Sequence, residues 1–585
     1  MAQPDSASQS WERSAFLKQA NQPITVGQLA RGLARFVYTH NPLYVASAWM
    51  VFRGLRASFD TAGGSFNTGL LTLCLAGYIL LLAITAYLVI RLGKVWDDAR
   101  SLLMLIVLMF LGLSVTFDGV LVDRPGLGAA YCVGGWIFAA VISEVLLRGI
   151  QLRLGPLLRL PYHALLALFF LYPLALSPFL GNPDSQVLQW LLFGFASAGA
   201  AILLALLPAV RRGPGYVADH GSPWPWPAFP WTLFGMLGLC VSLRAYYLCL
   251  SLHFVGYADS IFGPYFLAPL GLAAAVLLLE GGLTSRSDRV VRMALWLPAV
   301  TVALTAVGHR HDRVYRGFLQ MFEYGLGGTP LWVALLLAIG FYIFAVLRRV
   351  RYADAALTAA VVLLAFVAPT TLDLDHLAAP RPLPLALIGG VHLMAGLWQR
   401  LSWRVLLGNC LLLAALTLAF QRTWFTAVHG ALPVNLLLAN LLAVGIWFDD
   451  WFSRIARRAG MLLALALVCL VTIANRAWLG DFVVWIRAFY PLLLAGVLAW
   501  YGWRLRDRLC VIFALVSLMI SIAVFAVRGY EQLRPYLVGL DQLSLGVLFF
   551  VLAALISLSK AGWLPLRLRC GPAPPTIDLA TPEGP

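Results

Sequence analysis

Arg244 stands about halfway along GMLGLCVSLRAYYLCLSLHF, an apolar run in which a guanidinium cannot readily reach either interface. A charged side chain at the bilayer centre costs about 2.5–3.5 kcal/mol on insertion scales, so it must face a cavity or a partner rather than lipid. In a cavity its chemistry would be recognition of an anionic group, with Tyr246, Tyr247 and His253 on the same helix. The competing reading is structural: an ion pair, or hydrogen bonds to carbonyls of a neighbouring span.

Other ionisable residues cluster where apolar runs end. Three runs close on VTFD (Val115–Asp118), LSLH (Leu250–His253) and TTLD (Thr370–Asp373), and a fourth on VTIAN (Val471–Asn475). If these ends converge, Asp118, His253 and Asp373 form a polar ring at an outward-facing mouth, completing a substrate-binding set with Arg244. Taken singly, a charge at the interface costs little, and Asp118 and Asp123 read as ordinary loop residues.

Two outer segments carry denser groups. In TLDLDHLAAPR, Asp373 and Asp375 form a D-x-D pair beside His376; in VGHRHDRVYRG, His309 and His311 form H-x-H beside Asp312. Paired carboxylates can hold a hard divalent cation through oxygen, and paired imidazoles suit a transition metal. Two or three such residues are equally ordinary in a solvated loop. Within the spans, Glu144 lies four residues before Arg148, the favourable orientation for a helical ion pair. Glu280 sits near the cytoplasmic end of its span, and His392 reads as a hydrogen-bonded interhelical histidine.

The elements that must position these groups are membrane helices. The 585-residue chain is 61% hydrophobic and 12% charged, with a mean hydropathy of +0.84. Apolar runs of about 17–25 residues, the length that crosses a hydrocarbon core, recur from Phe66 to Ser559. Lipid offers no partner to a bare backbone N–H or C=O, so such runs fold as helices. The expected fold is an all-α polytopic bundle of about 18 spans (16–18). Its least secure span is the short Asn41–Leu55, where Arg53 and Arg56 interrupt the apolar run.

The net charge of +16 is a topology signal. Arginine supplies nearly all of it; lysine occurs only at Lys18, Lys94 and Lys560. Eight alternate connections, among them RLGKVWDDAR, LTSRSDRVVR, QRLSWR and RLRDR, carry 22 of the 42 Lys and Arg residues. By the positive-inside rule these face the cytoplasm, which puts both termini there and argues against nucleic acid as a partner. A bacterial-type inner membrane is the expected location. The eight cysteines form no CxxC, and no zinc site, haem or other cofactor is indicated.

Residues 1–40 form a cytoplasmic arm in which ITVGQLARGLARFVYTH suits an amphipathic helix on the membrane surface. Residues 41–560 form the transmembrane domain, and the proline-rich residues 561–585 read as a disordered tail. The span ends recur every four spans, as do the cytoplasmic ends SEVLLRG, LLLEGG, LMAGLWQR and LLLAGVLAWYGWR, which suggests parallel four-helix repeats. Three function classes fit. The leading one is transport or flipping of an amphipathic or lipid-linked solute through a polar cavity. The others are a membrane-embedded glycosyl- or acyltransferase using the outer Asp and His residues, and a non-catalytic scaffold or sensor. Membrane lipids and an anionic or lipid-linked small molecule are the implied partners; the sequence specifies no protein partner.

Overall fold

The computed structural model describes residues 46–51, 53–54, 65–180, 186–217, 220–224, 228–252, 261–307, 313–367, 381–420, 431–473, 483–536 and 539–560. The amphipathic arm and the proline-rich tail lie outside these residues, and Asn41–Leu55 is described only in part. The described chain is helical without strands, an all-α polytopic bundle. Among the described residues, eleven helices are long and apolar enough to cross a membrane. Large apolar side chains are exposed along many of them, among them Leu81, Val145, Trp296 and Phe525. That outward apolar surface would be unstable in water and is the expected surface in lipid. This is an integral membrane protein.

The transmembrane region, expected as one domain, divides into two compact units, Met1–Pro384 and Leu385–Pro585. The first contains α1 (Ser65–Arg91), α2 (Trp96–Asp123), α3 (Pro125–Gly149), α4 (Pro156–Leu176), α5 (Gln186–Leu204) and the short α6 (Leu207–Arg212). It continues with α7 (Ala228–Leu252), α8 (Ala268–Thr284), α9 (Asp288–Val307), α10 (Arg313–Leu326), α11 (Pro330–Leu347) and α12 (Ala353–Phe366). The second unit is formed by α13 (Pro382–Gln399), α14 (Ser402–Ala419), α15 (Ala431–Trp447), α16 (Trp451–Ile473), α17 (Val483–Leu505), α18 (Arg508–Leu533) and α19 (Leu540–Lys560).

Local chemistry sets many of the helix starts. Proline opens α3, α4 and α11, where a missing N–H leaves no bond unmade. Thr329 caps α11 by accepting from the Trp332 N–H, and Asp507 caps α18 by accepting from the Leu509 N–H. Asp450 does the same before α16, accepting from the Ser453 N–H at 2.8 Å and from the Ser402 hydroxyl at 2.5 Å. Those bonds hold its carboxyl below the ordinary carboxylate value against the opposing effect of burial.

The basic turns share one geometry. At the ends of α8, α13 and α17, residues Arg286, Arg400 and Arg506 take φ of 53°, 52° and 52°, in the left-handed region. Each N–H bonds the carbonyl three residues back at 3.4 Å. The next N–H bonds the carbonyl five residues back, that of Gly282, Gly396 or Gly502, at 2.9, 2.9 and 3.2 Å. This is the Schellman motif, in which glycine usually occupies the left-handed position. An arginine there strains its backbone by about 1–2 kcal/mol but puts a cation at the negative end of the helix dipole.

Nine residues beyond each of these glycines lies a valine. A Cβ on Gly282 would meet Val291, on Gly396 would meet Val405, and on Gly502 would meet Val511, each contact involving the valine backbone nitrogen. The pattern Gly-x3-Arg-x4-Val therefore builds one hairpin three times, at α8–α9, α13–α14 and α17–α18. The α3–α4 turn repeats the bonding around Gln151, with Pro156 in the valine's place. The helices before these turns are those whose ends SEVLLRG, LLLEGG, LMAGLWQR and LLLAGVLAWYGWR recur in the sequence, the fourth of each group it suggested. The first two groups are nonetheless packed differently: α2 lies along α3, whereas α7 and α8 diverge and α5 flanks α8.

Candidate functional site

Arg244 is completely buried, and its partner is Asp118. Its Nη1 donates to Asp118 Oδ2 at 2.5 Å and its Nη2 to Asp118 Oδ1 at 2.7 Å, a bidentate pair. Nε and Nη2 also reach the carbonyls of Phe169 and Ser114, each at 3.4 Å. The pair thus joins α2, α4 and α7, with Phe110, Phe117, Phe169 and Phe170 among the large side chains fully buried in the same core.

This arrangement corrects two expectations. Asp118 does not stand at an outer mouth: it is 1% exposed, lies within α2 and spends both carboxylate oxygens on Arg244. Arg244 does not line an open polar cavity, because packing encloses it and a carboxylate neutralises it. The structural alternative, an ion pair with added carbonyl bonds, is the arrangement observed. His253 and Asp373, offered as the rest of the ring, lie outside the described residues. So do Asp375, His376, His309 and His311. Among the described residues no group of three His, Cys, Asp or Glu side chains is placed to hold a metal.

Glu144 and Glu280 each gather a cluster near a helix end. The Glu144–Arg148 pair is present at 3.5 Å, but Arg148 is largely exposed. Stronger partners come from α4: Arg159 Nε at 2.7 Å and His163 Nε2 at 2.8 Å, both on Oε1. Glu280 is 2% exposed and receives Arg348 at 2.6 and 2.7 Å and Arg211 at 3.3 Å, tying α8 to the ends of α6 and α11. His392 is buried on α13, its ring 6.3 Å from that of Trp403.

An apolar opening lies elsewhere. A groove of about 820 Å³ separates α7 from the α8–α9 hairpin, in the region where α7 and α8 diverge. One wall is the face of α7 carrying Trp231, Gly235, Gly238 and Ser242. The other is α8 and α9, closely joined: a Cβ on Gly271 would lie 2.5 Å from Thr301 Oγ1. Leu203 and Leu206, at the end of α5, complete the lining. Val300 and Leu304 line it yet are about half exposed, at 48% and 53%, so the groove opens outward along α9.

The glycines on α7 create this space. A Cβ at Gly235 would meet nothing within 4 Å, and one at Gly238 only Leu203 at 3.8 Å. Arg100 is the one charged residue in the lining, near the start of α2, and forms no ion pair among the described residues. Ser285, between α8 and α9, lines the groove where those two helices join, and Thr232 does so near the start of α7.

A loop contact closes the connection leading into α7. His220 Nδ1 accepts from the Ser222 N–H at 3.2 Å and lies 2.9 Å from its hydroxyl oxygen. Its ring stacks on Phe229 with centroids 4.2 Å apart, and its carbonyl accepts from the Arg153 N–H. Burial holds the imidazole below its ordinary value, against the opposing effect of the Trp224 backbone. In the window below pH 6.5 the unfolded loop therefore binds more protons than the folded one, so this stabilisation is complete above pH 6.5 and lost as pH falls. Protection factors over residues 213–224, corrected for the intrinsic pH dependence of amide exchange, should fall on acidification in wild type. The acid dependence should be absent in His220→Phe, whereas an unchanged profile would remove His220 from the contact.

Comparison with protein-family models, curated proteins and solved structures returned no match.

Proposed function

We propose that this protein transports or flips an amphipathic or lipid-linked solute whose hydrocarbon chain occupies the groove between α7 and the α8–α9 hairpin. The observation that carries this reading is the groove's shape. From Val290 to Leu304 its lining follows α9 for about 21 Å, at 1.5 Å per residue. The lining is almost wholly apolar, and the groove opens along α9, where Val300 and Leu304 are half exposed. An open apolar groove of that length suits a hydrocarbon chain entering from the surrounding lipid. The scaffold reading would seat a partner helix in the same groove, and the assay below separates the two.

The groove also passes beyond one leaflet, since half of a hydrocarbon core is about 15 Å deep. A chain bound along it can thus follow a polar group between the two faces. In this reading the buried Arg244–Asp118 pair holds the wall-forming α7 to α2 and α4, and does not contact the solute. The basic turns face the cytoplasm, with both termini on that side of a bacterial-type inner membrane.

The test is a flipping assay in reconstituted vesicles. Fluorescent phosphatidylglycerol and a fluorescent polyprenyl phosphate are followed as an external reductant quenches the outer leaflet. Wild type is expected to carry at least one of them outward, and Gly235→Phe, which fills the groove, to slow that movement at least tenfold. Equal rates for wild type and the Gly235→Phe variant, or no acceleration over empty vesicles, would overturn the proposal.

A further inference from the structure

Resting on the reading of the groove as a lipid site, we infer that its occupant is an anionic lipid, admitted from the cytoplasmic leaflet with its phosphate or carboxylate held at Arg100. The lining is otherwise almost wholly apolar, and its charge is confined to one place. Arg100 belongs to the first two turns of α2, on the basic side of the bundle. The groove residues near it in depth are Thr232 at the start of α7, Ser285 after α8 and Val290 at the start of α9. A guanidinium thus marks one end of a groove that is hydrocarbon-like beyond it; the Ser285 hydroxyl there already donates to the Gly281 carbonyl at 2.7 Å. An anionic headgroup at that end with its chain along Gly235, Gly238 and Leu304 matches each part of the lining to one part of a lipid.

Charge complementarity decides the headgroup. The carboxylates of Asp118 and Glu280 are occupied by their own arginines and line no part of the groove. A zwitterionic or cationic head would place its positive group beside Arg100 with no carboxylate among the described lining residues to receive it. Arginine favours phosphate and carboxylate because its planar fork can donate two parallel hydrogen bonds.

The full-length protein in nanodiscs containing equal amounts of phosphatidylglycerol and phosphatidylcholine, released and examined by native mass spectrometry, tests this. Wild type is expected to retain phosphatidylglycerol over phosphatidylcholine by at least fivefold. Arg100→Gln should reduce that preference to near unity while still retaining lipid, and Arg100→Lys should keep most of it. Gly235→Phe should retain neither lipid. If Arg100→Gln keeps the preference of wild type, or wild type shows none, the anionic assignment fails while the groove reading stands. Should Gly235→Phe retain lipid as wild type does, the groove is not the site and both fail. Thermal unfolding of each variant, compared with wild type, separates loss of lipid from loss of fold.

Discussion

Asp118→Ala is expected to destabilise the protein by about 3–5 kcal/mol, measured by denaturant unfolding in detergent. The substitution leaves Arg244 fully buried, with only the carbonyls of Ser114 and Phe169 at 3.4 Å. A guanidinium stays charged at any workable pH, so the orphaned cation cannot neutralise itself. Arg244→Met should cost less, because an unpaired Asp118 can take up a proton. Replacing both residues, as Asp118→Leu with Arg244→Met, should recover most of the loss, since well-packed apolar residues often match or exceed a buried ion pair. That double variant also separates the two roles. If the pair only holds α7 in place, lipid movement survives in the stable double variant. Stability with complete loss of movement would instead give Arg244 or Asp118 a direct part in the function.

The helical class was legible because lipid leaves apolar runs of this length one backbone solution, and the runs are unbroken. The basic turns were legible for a similar reason: charge placement follows membrane topology. The partner of Arg244 was not. Asp118 lies 126 residues away, and at the end of VTFD it looks like any interfacial aspartate. Only the packing of α2 along α7 turns it inward. The groove was hidden for a different reason. Gly235, Gly238 and Ser242 share a helix face, but small residues on a face signal close packing as readily as empty space. Which of these applies depends on the divergence of α7 and α8, a property of neither helix alone. The repeated hairpin was half legible. Its glycine and valine are ordinary in such sequence, and arginine in a left-handed turn is contrary to the residue preference one would search for.

Arg348→Ala is expected to cost about 2–3 kcal/mol, more than loss of any other member of its cluster. The reason is an asymmetry of burial. Glu280 is 2% exposed, while the side chains of Arg348 and Arg211 remain 43% and 50% exposed. Removing Arg348 takes away three of the four hydrogen bonds to the carboxylate and leaves it with Arg211 at 3.3 Å. The buried carboxylate then has to shed its charge or draw in water. Arg211→Ala removes one long bond from a carboxylate that stays paired, and should cost about 1 kcal/mol or less. Glu280→Met should also be mild, because both arginines already reach solvent and can rehydrate. Unfolding measurements on the three variants therefore give an order, with Arg348→Ala lowest in stability. If Glu280→Met proves the most damaging instead, the cluster works by holding its arginines in place. Because Glu280 adjoins Gly281 in the groove lining, Arg348→Ala should also weaken lipid retention, whereas Glu280→Met should leave it largely intact.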